Sequence, residues 1–234
     1  MAPRPEETFR AALRDALTPL ADAQRAAQMQ AYMKSSLPYL GAPMPATRRT
    51  SKALAKELTF DSFAAFERFV RGLYGKAAFR EERYAALTLL DLKQTRAFQT
   101  VEALGLYEWL IVEGAWWDLV DEVATHRFVR LLEVEPAAMK KRLRAWSRGA
   151  NLWLRRAAII AQVLRGEETD LALLFEVILP AVGEKEFFLR KAIGWALRAA
   201  GKSFPREVRA FVEAHRSRLS GLSIREAEKS IGAR

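Results

Sequence analysis

Apolar residues recur along this chain at three- and four-residue spacing, broken by Gly, Pro and Ser/Thr/Asp. That is the pattern of amphipathic helices that each bury one face. No alternating run bounded by turn residues stands out, so no sheet is predicted. The pattern predicts helices over 5–17, 21–34, 52–58, 62–74, 81–92, 96–104 and 107–113. Further helices are predicted over 116–132, 137–147, 152–165, 170–181, 185–200, 205–216 and 224–231. Ser223 and Glu226 have capping-box spacing, Pro205 suits a first turn, and Gly75, Gly166, Gly183 and Gly201 sit where helices should stop.

Many short helices with brief connections predict an all-α fold of stacked helical pairs, each of roughly 40 residues, as in HEAT-like repeat solenoids. A globular helical bundle is the competing architecture. The expected organisation is a single repeat domain over 1–234. Pro38 and the break from Gly41 to Pro45 set off an N-terminal helical arm of about 1–40. A solenoid has a concave face, and a concave basic groove is wide enough to receive a duplex.

Composition sharpens the choice of partner. The chain has 234 residues, 38 Lys+Arg against 28 Asp+Glu, and a formal charge of +10. A pI near 10.1 favours an anionic partner, of which nucleic acid is the commonest. There is no cysteine, which excludes disulfides, thiol catalysis and thiolate metal sites. The two histidines, His126 and His215, are too far apart for a helical metal pair, and no metal is expected. No apolar h-region opens the sequence and no apolar run spans a bilayer, so a cytoplasmic protein, without membrane contact, is expected.

Three predicted helices carry residues that a pure core would not use. Trp117, Asp121, Ala124 and Phe128 fall at i, i+4, i+7 and i+11, which places a carboxylate among apolar neighbours. Such a group is costly unless it is paired or faces a wet cleft. Asp118 suits a helix-start role better, and Trp116 a packing role. Leu152, Arg156, Ile159 and Val163 repeat the spacing, with Arg156 interrupting an apolar stripe. It either pairs with a neighbouring helix, Asp121 being one candidate, or clamps a phosphate. Phe188, Ala192, Trp195 and Ala199 form the third stripe, with Arg190, Lys191 and Arg198 around it and Gly194 leaving room for a close neighbour. Other cations, among them Arg48, Arg83 and Arg148, form a DNA footprint only if they converge; otherwise they are a solvated face.

Six segments carry a family resemblance: YMKSSLPYLG (32–41), ERYAAL (82–87), WWDLVDEVATH (116–126), NLWLRRAAI (151–159), FFLRKAIGWALR (187–198) and LSIREA (222–227). With them the chain resembles the AlkD family of alkylpurine DNA glycosylases, built from HEAT-like repeats. The resemblance implies that Asp121 is the catalytic aspartate, that Trp117 and Trp195 are the cleft tryptophans, and that Arg156 is the cleft arginine. Arg155 is the alternative if the register shifts by one. No role is carried from the first segment. The resemblance further implies a monomeric enzyme without cofactor that acts on duplex DNA containing N3- or N7-alkylated purines. Arg156, Arg190, Lys191, Arg148, Arg48 and Arg83 are the candidate DNA contacts.

Those residue types suit that chemistry. A purine alkylated at N3 or N7 is cationic and leaves readily, so positive charge develops on the deoxyribose. A carboxylate beside the sugar stabilises that charge, and indole faces do the same. A monofunctional glycosylase that leaves an abasic site is expected. Two other classes fit the pattern: a non-catalytic repeat protein that binds branched or distorted DNA, and a protein-interaction scaffold. Steep salt dependence of DNA binding counts against the scaffold, and release of free base counts against both.

Overall fold

In a computed structural model describing residues 4–232, every regular element is a helix, and there is no strand among the described residues. The chain divides into two compact units, the first running through Gln99 and the second starting at Thr100.

The first unit holds α1 (Pro5–Leu17), α2 (Ala23–Met33), α3 (Met44–Leu54), α4 (Phe63–Gly75) and α5 (Arg80–Leu89). Phe9, Leu13 and Leu17 line one face of α1 and are buried, with Phe9 edge-on to Phe69 of α4. Helix α3 begins well before the predicted 52–58, at the end of the expected break. Its buried face is Ala46, Thr47 and Ser51, with the two hydroxyls donating back to Pro43 O and Thr47 O. A face of small polar residues carries no apolar signal, which is why the pattern hides it. The segment before α3 is tied down by Glu81, whose carboxylate accepts the N–H groups of Leu40 (3.1 Å) and Gly41 (2.9 Å). Gly41 has φ +82°, and a Cβ there would meet the backbone of Asp22 and Ala26.

The helix expected over 96–104 does not form as one. Lys93–Phe98 and Val101–Ala103 are 3-10 turns. Buried Thr95 donates its hydroxyl to Leu89 O and Leu92 O, and Gln99 donates to Leu90 O. These side chains hold the backbone in turns that an α-helix would not allow.

The second unit is a stack of four helical pairs. Helices α6 (Leu104–Gly114) and α7 (Trp117–Val134) form the first pair, and α8 (Pro136–Ser147) and α9 (Leu152–Ile160) the second. Helices α10 (Leu171–Ile178) and α11 (Phe187–Gly201) form the third, and α12 (Pro205–Ala214) and α13 (Gly221–Ile231) the fourth. The second member of each pair packs on the next, α7 on α9, α9 on α11 and α11 on α13. On the other side α8 packs on α10, and Phe175 of α10 stacks on Phe211 of α12 at 4.4 Å. The result is the two-layered helical-repeat arrangement anticipated from the pattern. Helix α9 stops five residues short of the expected 165, because Gln162 turns to hold the backbone of Asp170 through both its amide atoms.

Helix α13 starts earlier than predicted. Ser220, not Ser223, is its cap, accepting the N–H of Ser223 at 3.0 Å. Ser223 therefore lies inside the helix, where its hydroxyl donates to Arg190 O of α11. Glu226 is freed from the capping box that its spacing suggested. Pro205 does open α12, and Gly75 and Gly201 end α4 and α11 as expected.

Candidate active site

The row α7–α9–α11–α13 presents a cleft of about 370 Å³. It is lined by Trp117 and Asp121 from α7, Arg156 from α9, Lys191, Trp195 and Arg198 from α11, and Glu226 from α13. Two of the helices contribute runs at one-turn spacing, 117 and 121 from α7 and 191, 195 and 198 from α11.

Local capping sets where each helix begins. Trp116 is the N-cap of α7 and packs on Trp153 (5.9 Å) and Phe188 (5.4 Å) rather than in the cleft. The Asn151 carboxamide accepts the N–H groups of Trp153 and Leu154, both at 3.0 Å, and so starts α9 one turn before Arg156. Glu186 caps α11 through the N–H of Phe188. The aromatic cluster Trp116–Trp153–Phe188 thus clasps the starts of three helices. Phe188 also supplies the carbonyl that Arg156 needs.

Asp121 and Arg156 form a bidentate pair. Arg156 Nε donates to Oδ1 at 2.8 Å and Nη2 to Oδ2 at 2.7 Å, while Nη1 donates to Phe188 O at 2.8 Å. The arginine side chain is 7% exposed and the aspartate 16%. Of the two readings open for Arg156, the structure shows the neighbouring-helix pair, with Asp121 itself. Arg155 faces elsewhere, donating to Glu184 and Pro180 O. Burial pushes the Asp121 carboxyl above the ordinary carboxylate range. The hydrogen bonds and charge of Arg156 pull it back, and Asp118 adds to the rise. Each carboxylate oxygen keeps a lone pair free of the guanidinium, so the group can still act on something in the cleft.

At the α13 side, Glu226 pairs with Arg198 (2.5 Å) and Lys229 (2.7 Å). The hydrogen bond from Lys229 does most to hold its carboxyl below the usual range, with Arg198 and Lys191 helping. Gly194 permits this wall: a Cβ there would stand 2.7 Å from Glu226 Cβ. The room anticipated at Gly194 is filled by α13.

The structure thus brings Trp117, Asp121, Arg156, Trp195 and Lys191 together. Two of the remaining candidates, Arg190 and Arg148 of the second unit, stand outside the cleft lining. Arg190 is half-buried and does not line it. Arg148 ends α8 in the other layer and pairs with Glu176 at 3.3 Å. Arg48 and Arg83 belong to the first unit. Arg48 is exposed on α3, and the Arg83 guanidinium lies 4.8 Å from the Tyr74 ring. Two lining residues were not singled out as site residues. Arg198 shares a face with Lys191 and Trp195, which could have revealed it. Glu226 was hidden by its capping-box spacing.

Among the described residues, no group of three or more His, Asp or Glu is arranged to hold a metal ion. No described helix is long and apolar enough to cross a membrane.

A stack of helical pairs with two carboxylates, two indoles and cations lining a cleft along one row of helices defines a helical-repeat protein. The family described as DNA alkylation repair enzyme matches residues 13–231, and the chain belongs to it. A solved structure, a predicted DNA alkylation repair enzyme from Enterococcus faecalis, is similar at 28% identity with a TM-score of 0.78. The similarity covers 92% of this chain and 98% of that one. No curated protein matches the chain.

Proposed function

We propose that this protein is a monofunctional DNA glycosylase. It hydrolyses the N-glycosidic bond of cationic N3- and N7-alkylated purines, such as 3-methyladenine and 7-methylguanine, in duplex DNA and leaves an abasic site. The observation that carries this reading is the convergence of Asp121, Trp117, Trp195 and Arg156 on one cleft of a DNA alkylation repair family member.

In this mechanism the alkylated base departs with the bonding electrons of C1′–N, its positive charge neutralised as it leaves. Positive charge moves to the C1′–O4′ unit. Asp121 stabilises it; at about 4 Å and an effective dielectric near 20 the attraction is on the order of 4 kcal/mol, roughly a thousandfold in rate. Asp121 also orients the water that attacks C1′. The faces of Trp117 and Trp195 flank the cationic sugar and lesion. Arg156 fixes both oxygens of Asp121 and favours the ionised form of the buried carboxyl. Lys191 supplies positive charge toward the DNA backbone. Arg190, Arg148, Arg48 and Arg83 remain candidate backbone contacts outside the cleft. The protein acts as a monomer, without a cofactor.

The test is release of 7-methylguanine from methylated duplex DNA under single-turnover conditions. Asp121→Asn is expected to lower release by about two to three orders of magnitude while duplex affinity changes little. Equal loss of both, or unchanged release, would falsify the assignment. Wild-type protein that binds duplex but releases no base above background selects a non-catalytic DNA-binding role.

A further inference from the structure

Glu226 is an anion on the wall of a cleft proposed to receive a polyanion. Its carboxylate sits on α13, 15% exposed, held between Arg198 and Lys229. It is close enough to Lys191 for the lysine's charge to bear on its ionisation. Arg156, the other cleft arginine, already spends three donors on Asp121 and Phe188 O and is nearly buried. The cations in this cleft that can reach a phosphate are therefore Lys191, which is exposed, and Arg198, whose side chain is 37% exposed. The carboxylate that holds Arg198 competes directly with that phosphate.

We infer that Glu226 is a specificity-determining residue: an internal counter-ion that DNA phosphate must displace from Arg198, which weakens the grip on undamaged backbone. The inference rests on the cleft being the DNA site of the proposed reaction. Its physical content is an ion exchange. When a phosphate takes Arg198 from Glu226, the carboxylate is left with Lys229 alone and its negative charge stays beside the phosphate. That retained charge opposes the neutralisation that releases counter-ions from DNA, so salt dependence is blunted by up to about one phosphate's worth. A repair protein facing a large excess of undamaged DNA gains selectivity from such a brake, because tight backbone binding is sequence-blind.

The experiment measures binding of a fluorescent, unmodified duplex to full-length protein across a salt series, alongside single-turnover release of 7-methylguanine. Glu226→Gln is expected to tighten undamaged-duplex binding about five- to tenfold at low salt. The slope of log K against log salt is expected to steepen by about one. Glu226→Asp is expected to restore the wild-type slope. Arg198→Ala is expected to abolish the effect of Glu226→Gln in the double variant. Thermal melting separates these outcomes from loss of the α13 packing, because a merely structural glutamate lowers Tm without steepening the salt slope. Weaker or unchanged binding by a folded Glu226→Gln protein with an unchanged slope overturns the inference. If the wild type releases no methylpurine while the salt effects appear as stated, the glycosylase reading fails and the counter-ion role stands.

Discussion

Glu82 in the first unit and Asp121 in the second are both set against arginine with little exposure, and the two are built to different ends. In the first unit Glu82 is fully buried. It pairs with Arg14 and with Arg10 (3.5 Å) and accepts the N–H of Ala78 at 2.7 Å. Arg10 in turn donates to Gly72 O at 2.6 Å. These bonds tie α1, α4 and the start of α5 together, and Glu82 has no open side. In the second unit Asp121 has one arginine, two hydrogen bonds and a cleft in front of it. Burial and pairing alone therefore do not mark a site. What distinguishes Asp121 is unused acceptor capacity in a cleft that Trp117 and Trp195 also line.

The sharpest way to break that contrast is to neutralise both carboxylates isosterically. Asp121→Asn is expected to cost two to three orders of magnitude in 7-methylguanine release, with a modest change in Tm. Glu82→Gln is expected to leave release per folded molecule within about threefold while destabilising the protein by about 3 kcal/mol, since the buried Arg10 loses its counter-charge. Denaturant titration and single-turnover assays on the same preparations check both. A Glu82→Gln protein that is stable but inactive would dissolve the contrast.

The next effect is that of the partner. Arg156→Lys keeps the charge but loses the fork that fixes both oxygens, and is expected to lower release by about tenfold. Duplex affinity should be nearly unchanged if the arginine serves Asp121 rather than a phosphate. A proportional fall in affinity would return Arg156 to the phosphate-clamp reading.

A pH profile sharpens the same point. In the proposed reaction the ionised form of Asp121 acts, and burial raises its carboxyl above the ordinary range. Enzyme-dependent release should therefore fall off on acidification at a higher pH than an ordinary aspartate would give. Arg156→Met removes the group that pulls the carboxyl down, so its profile should shift further up. A shift in the opposite direction contradicts the arrangement.

The smallest expected effect probes the cleft wall. Gly194→Ala forces α11 and α13 apart at Glu226 and is expected to cost about 1–3 kcal/mol of stability. Release should decline less steeply than in Asp121→Asn.

The sequence exposed most where side-chain spacing and chemistry agreed. Trp117 with Asp121, and the intrusion of Arg156 into an apolar stripe, are helical-face arguments that need no partner coordinates. Their convergence required the stack of pairs, which the pattern indicated only in outline. Helix α3 was truncated because Ala46, Thr47 and Ser51 bury a face without large apolar residues. The 3-10 turns from Lys93 to Ala103 arise from side-chain bonds of Thr95 and Gln99 that periodicity does not register. Glu226 was lost to a local rule: its distance from Ser223 fits a capping box, yet Ser220 takes the cap and the glutamate turns to another helix. In each case a local signal was overridden by a bond or contact whose partner lies outside the window that carried it.

The cleft takes its lining from four successive helical pairs, one helix from each. It therefore behaves as a coincidence gate on folding. A stack with three pairs in place keeps much of its helicity yet lacks a wall, because Glu226 and the positioning of Arg198 arrive only with the fourth. Nearest-neighbour stacks can lose a terminal pair before the rest melts. The proposed activity is then a readout of the whole stack, and gentle heating should silence it while circular dichroism still reports a folded chain.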